Sequence, residues 1–411
     1  MKSLLAPAIT ALALLLPGCS GITNPIAPGA GGHSASLGDV QLPGKGSVWS
    51  VVGSPNRSPE GDDLLYGVSA VSSSDIWAVG SYCCVTHGSQ QYSNSLIEHW
   101  NGSAWRIVPF PSNEPADSQL RGVAVVGRDD VWAVGYSVFP NAALIEHWDG
   151  KKWSVVSSPY IPYGAELNAV VAISAKDVWA VGEGNDESLT EHWDGKQWSY
   201  VSDIARGPTI LQSVAASGPD DVWATGEFGD PNPNVFAEHW NGSEWSYSQV
   251  VNNFARSSFS GVVALSPNNA WAVGYEAPSY SNNVLQTLIE HWNGSRWSLT
   301  HSPNMDPQDG YDLNNWLFGV AAQSSLDVWA VGYWTYFPGS GTPRSLFERW
   351  NGKAWKLERG PSSLESSNNA AFNQLLGIAR VEPGVLWGVG YQGDQGECVL
   401  DCTLTVRANH G

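Results

Sequence analysis

The strongest constraint on this chain is a short phrase that returns seven times. "GVSAVSSSDIWAVG" at 67–80 recurs as "GVAVVGRDDVWAVG", "AVVAISAKDVWAVG", "SVAASGPDDVWATG", "GVVALSPNNAWAVG", "GVAAQSSLDVWAVG" and "GIARVEPGVLWGVG". Downstream of the first six come "LIEHWNGSAW", "LIEHWDGKKW", "LTEHWDGKQW", "FAEHWNGSEW", "LIEHWNGSRW" and "LFERWNGKAW". From Trp77 through Trp132, Trp179, Trp223, Trp271 and Trp329 to Trp387, the unit returns every 44 to 58 residues. A unit of that size is one supersecondary element, and it buries its apolar faces only against its neighbours.

Each unit reads as four short strands. The first two, of the type "GVAVV" and "DVWAVG", are apolar on both faces, as strands sandwiched between neighbours must be. "LIEHW" is the third, and an Asn-Gly or Asp-Gly pair turns it into the fourth. The last unit stops early: "LTVRANHG" at 404–411 aligns with a third strand, and no fourth follows. Its counterpart stands at the other end, where "VWSVVGSP" at 48–55 matches "KWSVVSSP" at 152–159. The expectation is an all-β, seven-bladed β-propeller of four-stranded blades over 47–411, its ring closed by the N-terminal strand (47–55) completing the C-terminal blade. Such closure removes the open sheet edges.

This region resembles propellers of the general kelch and WD40 type, and in particular bacterial secreted or lipoprotein propellers carrying DVWAVG…EHWNG repeats. It lacks the paired glycines of kelch and the terminal Trp-Asp of WD40. The resemblance implies a fold and leaves activity open.

Ahead of the repeats, "MKSLLAPAITALALLLPGCS" has an early Lys2, a short apolar run and Gly18-Cys19, the pattern of an export signal over residues 1–19. "LPGC" is similar to the bacterial lipobox and makes Cys19 a candidate for lipid attachment; Pro17 departs from that pattern and leaves ordinary cleavage as the alternative. The two outcomes are a protein lipid-anchored to the outer face of the bacterial cell membrane, or a secreted one. Residues 20–46, rich in Gly, Ala, Pro and Ser, read as a flexible tether. The chain carries 39 acids against 20 bases, a formal net charge of -19, with no basic stripe, which argues against nucleic acid as a partner.

A catalytic group breaks repeat symmetry, whereas a structural one repeats. Glu98, Glu146, Glu191, Glu238, Glu290 and Glu348 share one repeat position, and His99, His147, His192, His239, His291 and Arg349 the next. Strand neighbours point to opposite faces, so these pairs cannot converge on one atom. They are expected to bond across strands or between blades. Asp75, Asp130, Asp177, Asp221 and Asp327 precede the second strand, where Asx-type turn bonding is expected. Asn101, Asn241 and Asn293 begin formal sequons, but Asp-Gly replaces them in other units, so turn geometry is the reading.

Asymmetry lies in the connections from second to third strand and from fourth to next first strand, which share one face and differ in every blade. Variable loops on a rigid scaffold are where binding usually resides. That face offers Tyr136, Glu183, Glu227, Tyr275, Tyr333 and Tyr391 just after the second strands, with Tyr311, Trp316, Trp334 and Tyr336 added in blades five and six. Rings and carboxylates there suit a sugar or peptide; the alternative is that the rings pack the loops down. Asp306, Asp309 and Asp312 suggest a Ca²⁺ loop whose spacing departs from an EF-hand. No other cofactor or metal is indicated. Cys83, Cys84, Cys398 and Cys402 fall in neighbouring blades of a closed ring and are disulfide candidates, paired across blades or locally. The functional expectation is a monomeric, cell-surface binding or scaffold module for a glycan, peptide or protein. The alternative is an extracellular carbohydrate-active hydrolase or oxidase at the mouth of the central channel, with Glu183, Glu227, Glu276 and Glu397 as its acids.

Overall fold

Within each repeat the strands pair in chain order as an antiparallel meander. Blade three shows the pattern, with Ala165–Ser174, Asp177–Gly184, Glu187–Trp193 and Trp198–Tyr200 hydrogen-bonded in that sequence. The structure, a computed structural model, describes residues 48–409 except 58–61, 88–89, 163, 186, 205–206, 230–231, 252–253, 280–283, 306–312, 337–341, 365–371 and 394–400, and excludes the side chains of 84–91. The export signal and tether (1–46), Cys19, Tyr311, Cys398, Glu397 and the three aspartates Asp306, Asp309 and Asp312 therefore lie outside the described residues, as does the side chain of Cys84.

Seven four-stranded sheets follow one another round a ring, each first strand touching the first strand of the next blade. Blade seven is split as the sequence predicts: Trp49–Val52 pairs with Cys402–Asn409, which pairs with Val385–Gly393 and then Phe372–Glu382. Trp49 stands opposite Ala408, and Val52 opposite Thr405.

Three repeated positions account for all but Trp316 and Trp334 of the 22 tryptophans, and they form the seams. The second-strand indole of one blade meets two indoles of the next: Trp179 lies 4.9 Å from Trp240 and 5.3 Å from Trp245, edge-on to the latter. Aromatic pairs in such tilted and T-shaped geometries add to the area they bury. At the closing seam Trp329 meets Trp49 at 5.5 Å, and Phe347 lies 5.1 Å from Trp49.

The repeated glutamates bind blade to blade. Each is fully buried and reaches the segment that follows the outer strand of the preceding blade. Glu98 accepts from Ser54, Glu191 from Ser158 at 2.8 Å, Glu290 from the backbone N–H of Val251 at 3.1 Å, and Glu348 from Ser302 at 2.8 Å. Glu146 meets a second carboxyl, Glu114, and Glu238 accepts from the backbone of Ile204. Burial raises the pKa of every one: about 8 for Glu98 and Glu348, about 7 for Glu191 and Glu290, and well above the usual carboxylate range for Glu146 and Glu238. A desolvated carboxyl with few donors keeps its proton. The inter-blade role read from the repeat is what the hydrogen bonds display.

The aspartates before the second strand differ from the expectation. The Asp221 carboxylate takes one bond within its turn, from Ser217, but the contact these carboxylates share is with the histidines. Nε2 of His99, His147 and His192 sits 2.8 Å from Asp75, Asp130 and Asp177, and that of His239 2.6 Å from Asp221. Each imidazole lies on its own blade's second-strand tryptophan, 4.4 Å away for His192 on Trp179. In blade six Arg349 reproduces the contact with two bonds to Asp327, at 2.7 and 3.1 Å. Serines two residues ahead in the turn accept its backbone N–H instead, as Ser174 does from Lys176 at 3.2 Å. At the hairpins, Asn101 accepts from the N–H groups of Ser103 and Ala104, and Gly102 takes φ +92°, so the sequon there is a turn.

Candidate functional site: the central channel

An irregularity repeated seven times aims side chains into the channel. Between the first and second strands of every blade the register slips by one residue, at Leu65/Gly67 in blade one, Leu167/Ala169 in blade three and the matching positions elsewhere. The skipped residues are Tyr66, Arg121, Asn168, Gln212, Ser260, Phe318 and Leu376, and all seven line the central cavity. A bulge of this kind redirects a side chain out of the pleat. It also explains the glycine that ends each "WAVG": a Cβ on Gly182 would lie 1.9 Å from the carbonyl oxygen of Glu166, and on Gly226 1.9 Å from that of Ile210.

The cavity encloses about 600 Å³. Two residues beyond each bulge, Val68, Val123, Val170, Val214, Val262, Val320 and Ile378 form an apolar collar deeper in the channel. Above the collar the wall is asymmetric. Blades two to four contribute Gln119, Arg121, Tyr136, Glu166, Asn168, Glu183, Gln212 and Glu227, whereas blades six and seven contribute Phe318 and Leu376.

Arg121 organises the polar side. Its guanidinium is 3.2 Å from Glu166, donates to the amide oxygen of Asn168, and stacks 4.6 Å over the ring of Tyr136. Asn168 passes a 2.9 Å bond on to the carbonyl of Leu211 in the next blade. Glu227 is held differently. Burial raises its pKa, a hydrogen bond from Ser258 opposes the rise, and its Oε2 is buried without a hydrogen-bond partner. Burial raises Tyr66 as well, against a bond with Ser81.

Of the residues singled out in the sequence, Tyr136, Glu183 and Glu227 line this cavity. The other described aromatic residues singled out are engaged in packing. Tyr391 is buried and donates to Gln374 at 3.0 Å; Tyr275 is buried with Ala277 and Leu285 against Trp316. Tyr333 lies between Trp316 at 4.7 Å and Phe318 at 5.6 Å, and Trp334 meets Tyr336 edge-on at 6.0 Å. Burial carries the Tyr333 hydroxyl to about 12. Glu276, raised by burial to about 7, is outside the channel lining. Among the described residues no cluster of three or more His, Cys, Asp or Glu is arranged for a metal ion.

Cys83 and Cys402 are both buried, on adjoining blades one and seven. Hydrogen bonds join these blades nearby: the Asp63 N–H donates to the carbonyl of Asp401 at 2.8 Å and the Asp401 N–H to the Asp62 carboxylate at 3.2 Å, while within blade one Cys83 donates to the carbonyl of Asp62 at 2.7 Å.

The bulge ring escaped the sequence reading, yet it leaves a trace. Each residue directly precedes the small residue that opens the repeat, as in Arg121-Gly122-Val123 or Phe318-Gly319-Val320, and it differs in every blade although a leucine or phenylalanine precedes it and a valine or isoleucine stands two residues after it.

No protein-family model matches the chain, and no curated protein sequence matches it. Solved structures match in shape. A structure of YCF48 bound to a D1 peptide is 13% identical, with a TM-score of 0.55 over 90% of this chain and 99% of that one. The RRP9 WD40 repeats are 9% identical, with a TM-score of 0.56 over 90% and 99%. YCF48 from Cyanidioschyzon merolae is 18% identical, with a TM-score of 0.51 over 88% and 98%. The chain is similar to these WD40-like seven-bladed propellers in fold.

Proposed function

We propose that this protein is a binding module that takes a peptide or glycan at the channel mouth on its variable face. The observation that carries the reading is the bulge ring: one scaffold position, repeated seven times and aimed into a cavity, holds a different residue in every blade. A purely structural position would repeat, as the glutamates and tryptophans do. Support also comes from a propeller of this shape having been solved with a peptide bound. Fold likeness does not identify the ligand.

The module acts outside the cytoplasm, held by lipid on Cys19 or released if ordinary cleavage is used. The signal-like residues 1–19 support this, as does the burial of Cys83 and Cys402 on adjoining blades. We assign those cysteines to bridges that reinforce the seam between blades one and seven.

The test is a screen of the purified protein against glycan and peptide arrays, followed by titration of the best hit. Ser260→Trp and Gln212→Trp, which each put a bulky ring into the channel, are expected to weaken that hit at least tenfold. A hit indifferent to both substitutions, but lost on changing the short-turn face at Asn101 or Asn241, overturns the reading.

A further inference from the structure

The wall of the channel contains a cation site that the protein fills itself. At the seam between blades two and three, Arg121 sits on an aromatic ring, beside a carboxylate and an amide, with all three partners supplied by the wall. Arg121 is the one base among the lining residues, against Asp62, Glu166, Glu183 and Glu227. Because its guanidinium is committed to Glu166, Asn168 and Tyr136, it is poorly placed to recruit an anion from solution.

Two blades further round, the equivalent seam has similar groups without the cation. Glu227 occupies the position of Tyr136, Ser258 that of Glu166, and Gln212 that of Arg121. Tyr275, on the next blade, is close enough to Glu227 for the carboxylate to act on its hydroxyl. Ser260 and Gly261 leave the adjoining wall low. The cation on the same strand, Arg256, acts on Tyr275, while the influences on Glu227 are burial and Ser258. Glu227 keeps one oxygen without a donor. A cavity with acidic groups and low-dielectric walls, in a protein of net charge -19, focuses a negative potential that concentrates cations at its mouth.

We propose that the seam between blades four and five, around Glu227, Ser258 and Gln212, receives a guanidinium or ammonium group from outside the chain, as the seam between blades two and three receives Arg121 from within. This rests on the channel being the binding site, and it narrows the ligand to one carrying a cationic group: a basic peptide side chain or an amino sugar.

Two matched pairs separate these sources. One is a terminally blocked Gly-Lys-Gly peptide and its Nε-acetylated form; the other is glucosamine and N-acetylglucosamine. Calorimetric titration of the full protein at low salt should give at least tenfold tighter binding for the charged member of one pair, shrinking in 0.5 M salt as screening predicts. Glu227→Gln should erase the preference with the melting temperature preserved. Gln212→Arg, which places a guanidinium where Arg121 stands in its own seam, should abolish binding of the charged probe. Equal binding within both pairs, or a preference that survives Glu227→Gln or Gln212→Arg, overturns the proposal. If a neutral array hit binds and is blocked by Gln212→Trp while no charged probe is preferred, the channel reading stands and the cation assignment fails.

Discussion

Ser302 Oγ donates a 2.8 Å hydrogen bond to Oε2 of Glu348 across the seam between blades five and six, and neither group reaches solvent appreciably. Glu348→Ala strips Ser302 of that acceptor and opens a void at the seam. A loss of about 1–3 kcal/mol follows from the unsatisfied polar group alone, with more for the void. Glu348→Gln keeps an oxygen for the same donor and should cost less. Denaturant melts of the two variants check the order.

Six such glutamates make the ring sensitive to alkali. Their folded pKa values lie above the ordinary 4.5, at about 7 to 8 for Glu98, Glu191, Glu290 and Glu348, so folding takes up protons between those limits. The folded state binds more protons than the unfolded one, and stability therefore falls as pH rises. The contribution is full below about pH 4.5 and is lost through pH 7–8. The melting temperature should be lower at pH 9 than at pH 5.5, and a Glu191→Gln, Glu348→Gln double variant should show a shallower decline.

Trp49 closes the ring with its indole against Trp329 and Phe347. Trp49→Ala removes a buried tryptophan, a change worth about 3–5 kcal/mol. Hydrogen exchange should speed up first at 402–409, the strand that Trp49–Val52 covers.

The bulge requires its glycine. Gly226→Ala puts a methyl group within 1.9 Å of the Ile210 carbonyl, so the strands must separate or the bulge must be lost. The variant should melt well below the parent, whereas Gly218→Ala, with open space around it, should be nearly neutral. Thermal melts of the pair discriminate.

Arg121→Ala tests the channel without unfolding it. The pair with Glu166 is about 30% exposed on each side, 28% and 31%, which limits its stabilising effect to about 1 kcal/mol or less. Binding of a cationic ligand should be kept or tightened, because the channel loses its lining base, while the melting curve barely moves.

The architecture was legible because burial repeats. "WAVG", "EHW" and the matching "WSVV" segments mark positions where identical neighbours impose identical packing, and even the split blade followed from them. The role of Asp75 and its equivalents was misread because a turn aspartate has local donors within reach. Its histidine lies only 15 to 24 residues away, but the hairpin has to be built before that proximity is visible. The site was harder for the opposite reason. Loop aromatics such as Tyr275 and Tyr391 attract notice by type, yet a large ring next to a seam finds a place to bury. The channel residues sit inside the repeated strand, and a register slip invisible in the letters decides that they face inward.

The route by which the chain joins the ring has a consequence for orientation. Trp49 begins the outer strand of blade seven at the end near the short turns, and Asn409, opposite Val385, lies on the same side. Residues ahead of Trp49 thus meet the ring on the side away from the channel mouth. A propeller tethered through them is mounted like a dish on a stalk. Under the proposed lipid anchorage, its opening would look outward into the medium, within reach of large or polymeric molecules, and away from the anchoring surface.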